Sequence, residues 1–246
     1  MSVAADRAPS VATQTVQQLG GSGSILVRQR QDHAVLEELL TAVRTSAGAE
    51  QDEALTRLGR LVFPHAYGEE TVLWPVLRAV LPDGEQLTLR NEMEHQQINQ
   101  LWSELDRTPP DGARRPVLVQ QLTDLLHRDA RDEEDLLLPR LQQALTVTQL
   151  RRLGRTWQLV RRTAPTRPHP HVSRRPPGNV LSGLPLAGID RTRDLLDRSA
   201  RRLPALAVPL SGTSRFLAVL AGAVEHLPPI PSGERPQTFE YAGTSG

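Results

Sequence analysis

Between residues 24 and 162 the apolar side chains recur every three or four positions, and nowhere do they alternate as a half-buried strand requires. That pattern restricts the fold class to helices packed on helices. The breaks divide the stretch into long pieces: Ser24 to Ser46, Glu50 to Val80, Glu85 to Arg107 and Arg114 to Leu145, separated by Gly48, by Leu81-Pro82-Asp83-Gly84 and by Thr108-Pro109-Pro110-Asp111-Gly112. Short connections between long helices predict an all-α, antiparallel up-down-up-down four-helix bundle. Thr146, with Gln149 three residues on, predicts a capping box that opens a short fifth helix to Arg162.

Outside 24–162 the pattern changes. Residues 1–23 are polar and rich in Ala, Ser and Gly, and they are expected to be disordered and to lack a signal peptide. Eight of the twenty prolines precede residue 165 and twelve follow from there on. PTRPHPHVSRRPPGN therefore reads as an extended linker that opens a Pro/Arg-rich, partly disordered tail, 163–246. Gly188 to Arg202 and Ser214 to Leu227 are candidates for short helices there. The longest apolar run, FLAVLAGAV, is about half of the roughly 20 residues of a membrane span, so a cytoplasmic protein without a membrane partner is expected.

The chain has no cysteine, which excludes disulfides, thiolate metal sites and a cysteine nucleophile. A net charge of +1 makes no case for a nucleic-acid partner. No glycine-rich phosphate loop or readable Ser-His-Asp arrangement is present.

The informative residues are polar ones on apolar stripes. On the second predicted helix, His65 and Glu69 interrupt the line Leu58, Val62, Val72, Val76, one turn apart, as two donors to one metal would. His33 lies between Leu26 and Leu36, with Glu37 nearer the edge as a candidate for a metal contact or a hydrogen bond to a ligand. His95 heads the stripe Ile98, Trp102, Leu105. On the fourth helix Asp129 and Glu133 continue the stripe of Leu118 and Leu122, whereas His127 lies about 200° around from Asp129. An independent ruler agrees: His65 and Glu69 precede Pro75 by ten and six residues, as Asp129 and Glu133 precede Pro139. Glu70 and Glu134, next along, are expected to turn toward solvent or a neighbouring helix. His169 and His171 are expected to be solvated.

QDH (31–33), HAYGEETVLWP (65–75), EHQQI (94–98) and DEEDLLLP (132–139) together resemble the hemerythrin HHE cation-binding family over roughly residues 24–162. The resemblance implies two non-haem irons, oxo- or carboxylate-bridged, that bind or sense O2, NO or peroxide. His33, His65 and His95 would be nitrogen ligands, and Glu69 and Glu133 bridging carboxylates. The chain departs from the family at Asp129, where a histidine is expected. It departs again at Asn99, which stands where hemerythrins proper carry a second histidine and is a weak ligand or an outer partner. Iron accepts carboxylate oxygen, so Asp129 completes a carboxylate-rich set, with other divalent cations as alternatives. Two further readings remain open at this point: a degenerate, metal-free bundle that binds a protein partner through its tail, and a di-iron peroxidase or ferroxidase.

Overall fold

The computed structural model describes residues 8–231 and 235–240 and, among them, contains helices and no strand. The first helix, α1 (Ile25–Thr45), starts at Ser24, whose Oγ accepts from the Leu26 N–H. The second rod comprises α2 (Gly48–Gly68), a widened π turn at Glu69–Leu73, and α3 (Trp74–Val80). The third is α4 (Gly84–Arg107). The fourth repeats the second: α5 (Arg115–Asp132), a π turn at Glu133–Leu137, and α6 (Leu138–Ala144). Then come α7 (Val147–Arg162), α8 (Gly178–Arg202), α9 (Ala207–Glu225) and α10 (Pro236–Glu240).

The rods pack in a ring, α1 against α2, α3 against α4, α4 against α5 and α5 against α1. Two apolar clusters fill it. One holds Leu36, Leu40, Leu58, Val62, Ile98, Trp102, Leu122 and Leu126, the other Leu26, Leu73, Trp74, Leu77, Leu138, Leu141 and Trp157. The stripes of α1 and of the second and fourth rods cross from one cluster to the other at a polar residue, whereas α4 contributes to the first cluster and carries His95 at its edge. The bundle therefore has a polar layer enclosed between two dry ones.

The two π turns sit at matching places for a local reason. The Trp74 N–H bonds to the Glu69 carbonyl and the Leu138 N–H to the Glu133 carbonyl, each five residues back. In both rods the next residue is a proline, which has no N–H with which to continue the regular ladder. Pro64, by contrast, sits inside α2, which runs on through it.

α7 has the predicted capping box, the Thr146 N–H donating to Gln149 Oε1 at 2.9 Å and the Gln149 N–H to Thr146 Oγ1 at 3.3 Å. It lies against α1 and α2, and Gly154 makes the approach possible: a Cβ there would stand 2.3 Å from the Gly23 carbonyl oxygen.

Both ends differ from expectation. Of the segment expected to be disordered, residues 1–7 lie outside the described residues. Residues 8–23 pack on the bundle with Val11 and Leu19 buried, and Gln14 and Gln142 exchange side-chain amide bonds of 3.0 and 2.8 Å. The expected linker is likewise folded onto the bundle, burying Ala164, Val172, Ser173, Arg174 and Arg175. The two candidate helices in the tail are longer than expected and form the α8–α9 pair. The tail's own apolar core is small, centred on Val172, Leu186, Ala221 and Ile230, and polar contacts do most of the anchoring. Arg175 bonds Glu92 and Glu85 at 2.6–2.8 Å, Gln96 donates to the Pro170 carbonyl at 2.8 Å, and Tyr67 donates to the Asn179 carbonyl at 3.1 Å. The outer face of α9, with Val208, Phe216 and Val219, is exposed. Pro204–Glu225 has the length and composition to cross a membrane, longer than the nine-residue apolar run suggests.

Candidate metal centre

Six side chains singled out by their place on apolar stripes meet in the polar layer: His33 from α1, His65 from α2, Glu69 from the first π turn, His95 from α4, Asp129 from α5 and Glu133 from the second π turn. All are at most 9% exposed. His33, His65, Glu69 and Glu133 can each offer one atom to a common ion with those atoms within 4.8 Å of one another, and His95, Asp129 and Glu133 form a second such group. Glu133 belongs to both. Its Oε2 is 3.3 Å from His33 Nε2 and its Oε1 is 4.0 Å from His95 Nε2. Glu69 is placed alike, Oε1 at 3.0 Å from His65 Nε2 and Oε2 at 3.6 Å from His95 Nε2.

Every histidine is oriented the same way. His33 Nδ1 meets Glu134 at 3.2 Å, His65 Nδ1 meets Asp32 at 3.0 Å, and His95 Nδ1 meets Glu70 at 2.9 Å. A carboxylate on Nδ1 holds the ring and turns Nε2 inward, the arrangement that supports a metal-bound imidazole. The remaining contacts fix the acids: Gln29 Nε2 donates to Glu69 at 2.7 Å, and Asn91 Nδ2 to Asp129 and Glu133 at 3.4 Å. Arg161 of α7 pairs with Asp32 at 2.6 Å, and Trp157 stands edge-on to His65 with ring centroids 5.5 Å apart.

The donor set fits a cation. His65 Nε2, Glu69 Oε2 and Glu133 Oε2 are buried without a well-aligned hydrogen bond, although His65 Nε2 lies 3.0 Å from Glu69 Oε1 and Glu133 Oε2 lies 3.3 Å from His33 Nε2. Buried polar atoms are rarely left so. The electrostatics agree. Burial disfavours a charged His33, yet Glu133 and Glu134 carry its pKa up to about 10. Burial likewise opposes charge on His65 and His95, which Glu69 and Asp32 raise to about 9 and Asp129 and Glu70 to about 10. Burial would raise Glu69, but the imidazoles, His65 foremost, hold it down near 2. Asp129 is pushed up by burial and by Glu133, and Glu133 by burial and Glu69. Acids crowded this closely repel one another, and a central cation relieves that repulsion.

Some expectations need correction. Glu37 bonds a histidine, but it is His127, at 2.7 Å on the half-exposed outer side of the bundle, and neither reaches the centre. Of the two roles expected for Asn99, its bonds fit the outer partner: its Nδ2 donates to the His95 carbonyl and its Oδ1 accepts from the His169 N–H, both at 2.9 Å. His169 is not solvated but buried, held at Nδ1 by Glu225 (2.9 Å) and at Nε2 by Asp190 (3.0 Å). Glu70 and Glu134 do turn to neighbouring helices, as expected, and the rings they meet there are His95 and His33 of the converging set. The repeated Glu-Glu pair, six and five residues before a proline in both rods, is the sequence signal that could have found them. Trp74 packs beside His95, ring centroids 6.3 Å apart.

A cavity of about 30 Å³ adjoins the histidines, walled by apolar residues such as Leu36, Val62, Phe63 and Ile98.

Comparison with known proteins bears on the bundle that carries these residues. A protein of Schizosaccharomyces pombe described as an uncharacterized hemerythrin-like protein is 23% identical over 135 residues, 54% of this chain and 66% (just under two thirds) of the relative. No solved structure matches. The family model for the hemerythrin HHE cation binding domain matches residues 24–141, just under half of the chain and the segment that supplies all six converging side chains.

Proposed function

We propose that this cation-binding bundle holds a pair of non-haem irons and binds or senses a small molecule (O2, NO or peroxide) in the cytoplasm. The observation behind the reading is the small apolar cavity beside the inward-facing histidines. A water needs about 10–15 Å³ of such space, so about 30 Å³ admits a diatomic or a peroxide and little more. Bound iron would supply the open coordination position and the electrons. The chain supplies the rest. His33, His65 and His95, held by their carboxylates, present Nε2; Glu69 and Glu133 each present an oxygen to both sides; Leu36, Val62, Phe63 and Ile98 limit water.

The test is iron quantification after anaerobic ferrous reconstitution, followed by ultraviolet-visible spectra with O2, NO and H2O2. Close to two irons per chain, with a spectral change that persists on ligand addition, supports binding or sensing. Less than about 0.3 iron per chain refutes the reading and leaves a helical scaffold that finds its partner through the tail. The carboxylate Asp129 favours one second reading, a ferroxidase or peroxidase, because an added anion stabilises oxidised iron. Catalytic consumption of H2O2 or ferrous ion would select it.

A further inference from the structure

The six converging side chains do not make two equivalent halves. On the α1–α2 side stand two imidazoles, His33 and His65, with one oxygen each from Glu69 and Glu133. On the α4–α5 side stands one imidazole, His95, with Asp129 Oδ2 at 3.7 Å and the other oxygens of Glu69 and Glu133 at 3.6 and 4.0 Å. Nothing nearby restores the missing nitrogen. Asn99, one turn beyond His95, has both ends of its amide engaged, by the His95 carbonyl and by the His169 backbone of the folded-back tail. His127, the one histidine of the fourth rod, is turned outward to Glu37.

We infer that the centre is two unequal cation sites: a nitrogen-rich one at His33 and His65, which fills first, and an oxygen-rich one at His95 and Asp129, which fills second and discriminates less between Fe2+ and Mn2+. The inference rests on the proposed two-metal reading and adds its order and selectivity. Imidazole favours Fe2+ and Zn2+, whereas carboxylate oxygen suits Mn2+. Both sites retain the general preference for iron over manganese, but exchanging one nitrogen for oxygen narrows it on the α4–α5 side. The chain can then hold a mixed pair when manganese is in excess.

Calorimetric titration of the metal-free full chain with Zn2+, which has no redox chemistry, should show two steps separated by about tenfold or more in affinity. Asp129→His should tighten the second step, and His65→Ala should weaken the first while leaving the second. One equivalent of Fe2+ followed by excess Mn2+ under argon should leave about one of each per chain after desalting. Anomalous scattering from crystals of that wild-type sample should place manganese beside His95, a reading that holds even if a variant fails to fold. Two equal steps unmoved by Asp129→His, or manganese beside His33, would overturn the inference while leaving the two-metal reading intact. A chain that takes up no metal overturns both.

Discussion

Two buried histidine–carboxylate clusters, linked by Asn99 through the backbones of His95 and His169, have different characters. In the tail, His169 has both ring nitrogens satisfied, by Glu225 and Asp190, and Asp190 also accepts from the Thr166 and Arg167 N–H groups at 2.9 and 3.1 Å. In the bundle, Nδ1 of each histidine is satisfied while His65 Nε2 and one oxygen each of Glu69 and Glu133 are left over. The same residue types thus build a clamp in which both nitrogens of the histidine are spent and only Asp190 Oδ1 is left over, and, in the bundle, a receptor in which three atoms converge unspent. Residue type alone does not separate a structural cluster from a site; the unspent hydrogen-bonding capacity does.

The comparison can be broken most forcefully at Glu133, which serves both metal groups. Glu133→Ala should lower metal affinity on the order of 100-fold or more, read by competition with a chelator, and unchanged affinity would show that the left-over atoms are not a receptor. Asp129→Ala should lower metal retention as well, chiefly at the second equivalent. His169→Ala is the reciprocal change. It leaves Asp190 and Glu225 buried without their cation, at a cost of roughly 3–5 kcal/mol. Denaturant unfolding should record that loss while metal per chain stays the same; a parallel loss of metal would mean that the clamp holds His95 in place through Asn99.

Protons sharpen the contrast further. Burial opposes charge on His169, but Asp190 and Glu225 raise its pKa to about 9, above the unfolded value near 6.5. Its stabilisation is therefore complete below about pH 6.5 and fades as pH rises through 9. The stability difference between wild type and His169→Ala, measured metal-free, should shrink over that interval; a difference that grows would reverse the assignment. The smallest effect is expected of His127→Ala. His127 and Glu37 are each nearly half exposed, and such pairs contribute about 0–1 kcal/mol. Metal content should not change, and a drop would return His127 to the centre.

The bundle and its six inward residues were legible because they follow local rules. Helical periodicity put His33, His65 and His95 on buried faces, and the offset to a proline separated Asp129 from His127. Glu70, Glu134 and Asp32 were not legible as histidine partners, because each serves a ring on a different helix and nothing in its own helix marks that. The tail was misjudged for a related reason. Proline-rich composition signals the lack of regular structure, not the lack of burial, and the residues that hold segment 164–175, such as Glu92, Asn99 and Asp190, lie as much as 83 positions away. His169 looked like a solvated linker residue, although it is the most fully bonded histidine described.

The widened turns have a consequence for anyone comparing this chain with distant kin. Each inserts one amino acid beyond what a regular rod of the same rise would hold, so that two successive acids can serve neighbouring rings while the following tryptophan or leucine returns to the oily interior. Ten letters from the inward residue to the proline is the written trace of that insertion, present twice here. A sequence with nine in either rod has lost the extra letter, and its downstream half-helix would be swung by about 100°, with the wrong faces presented to the core.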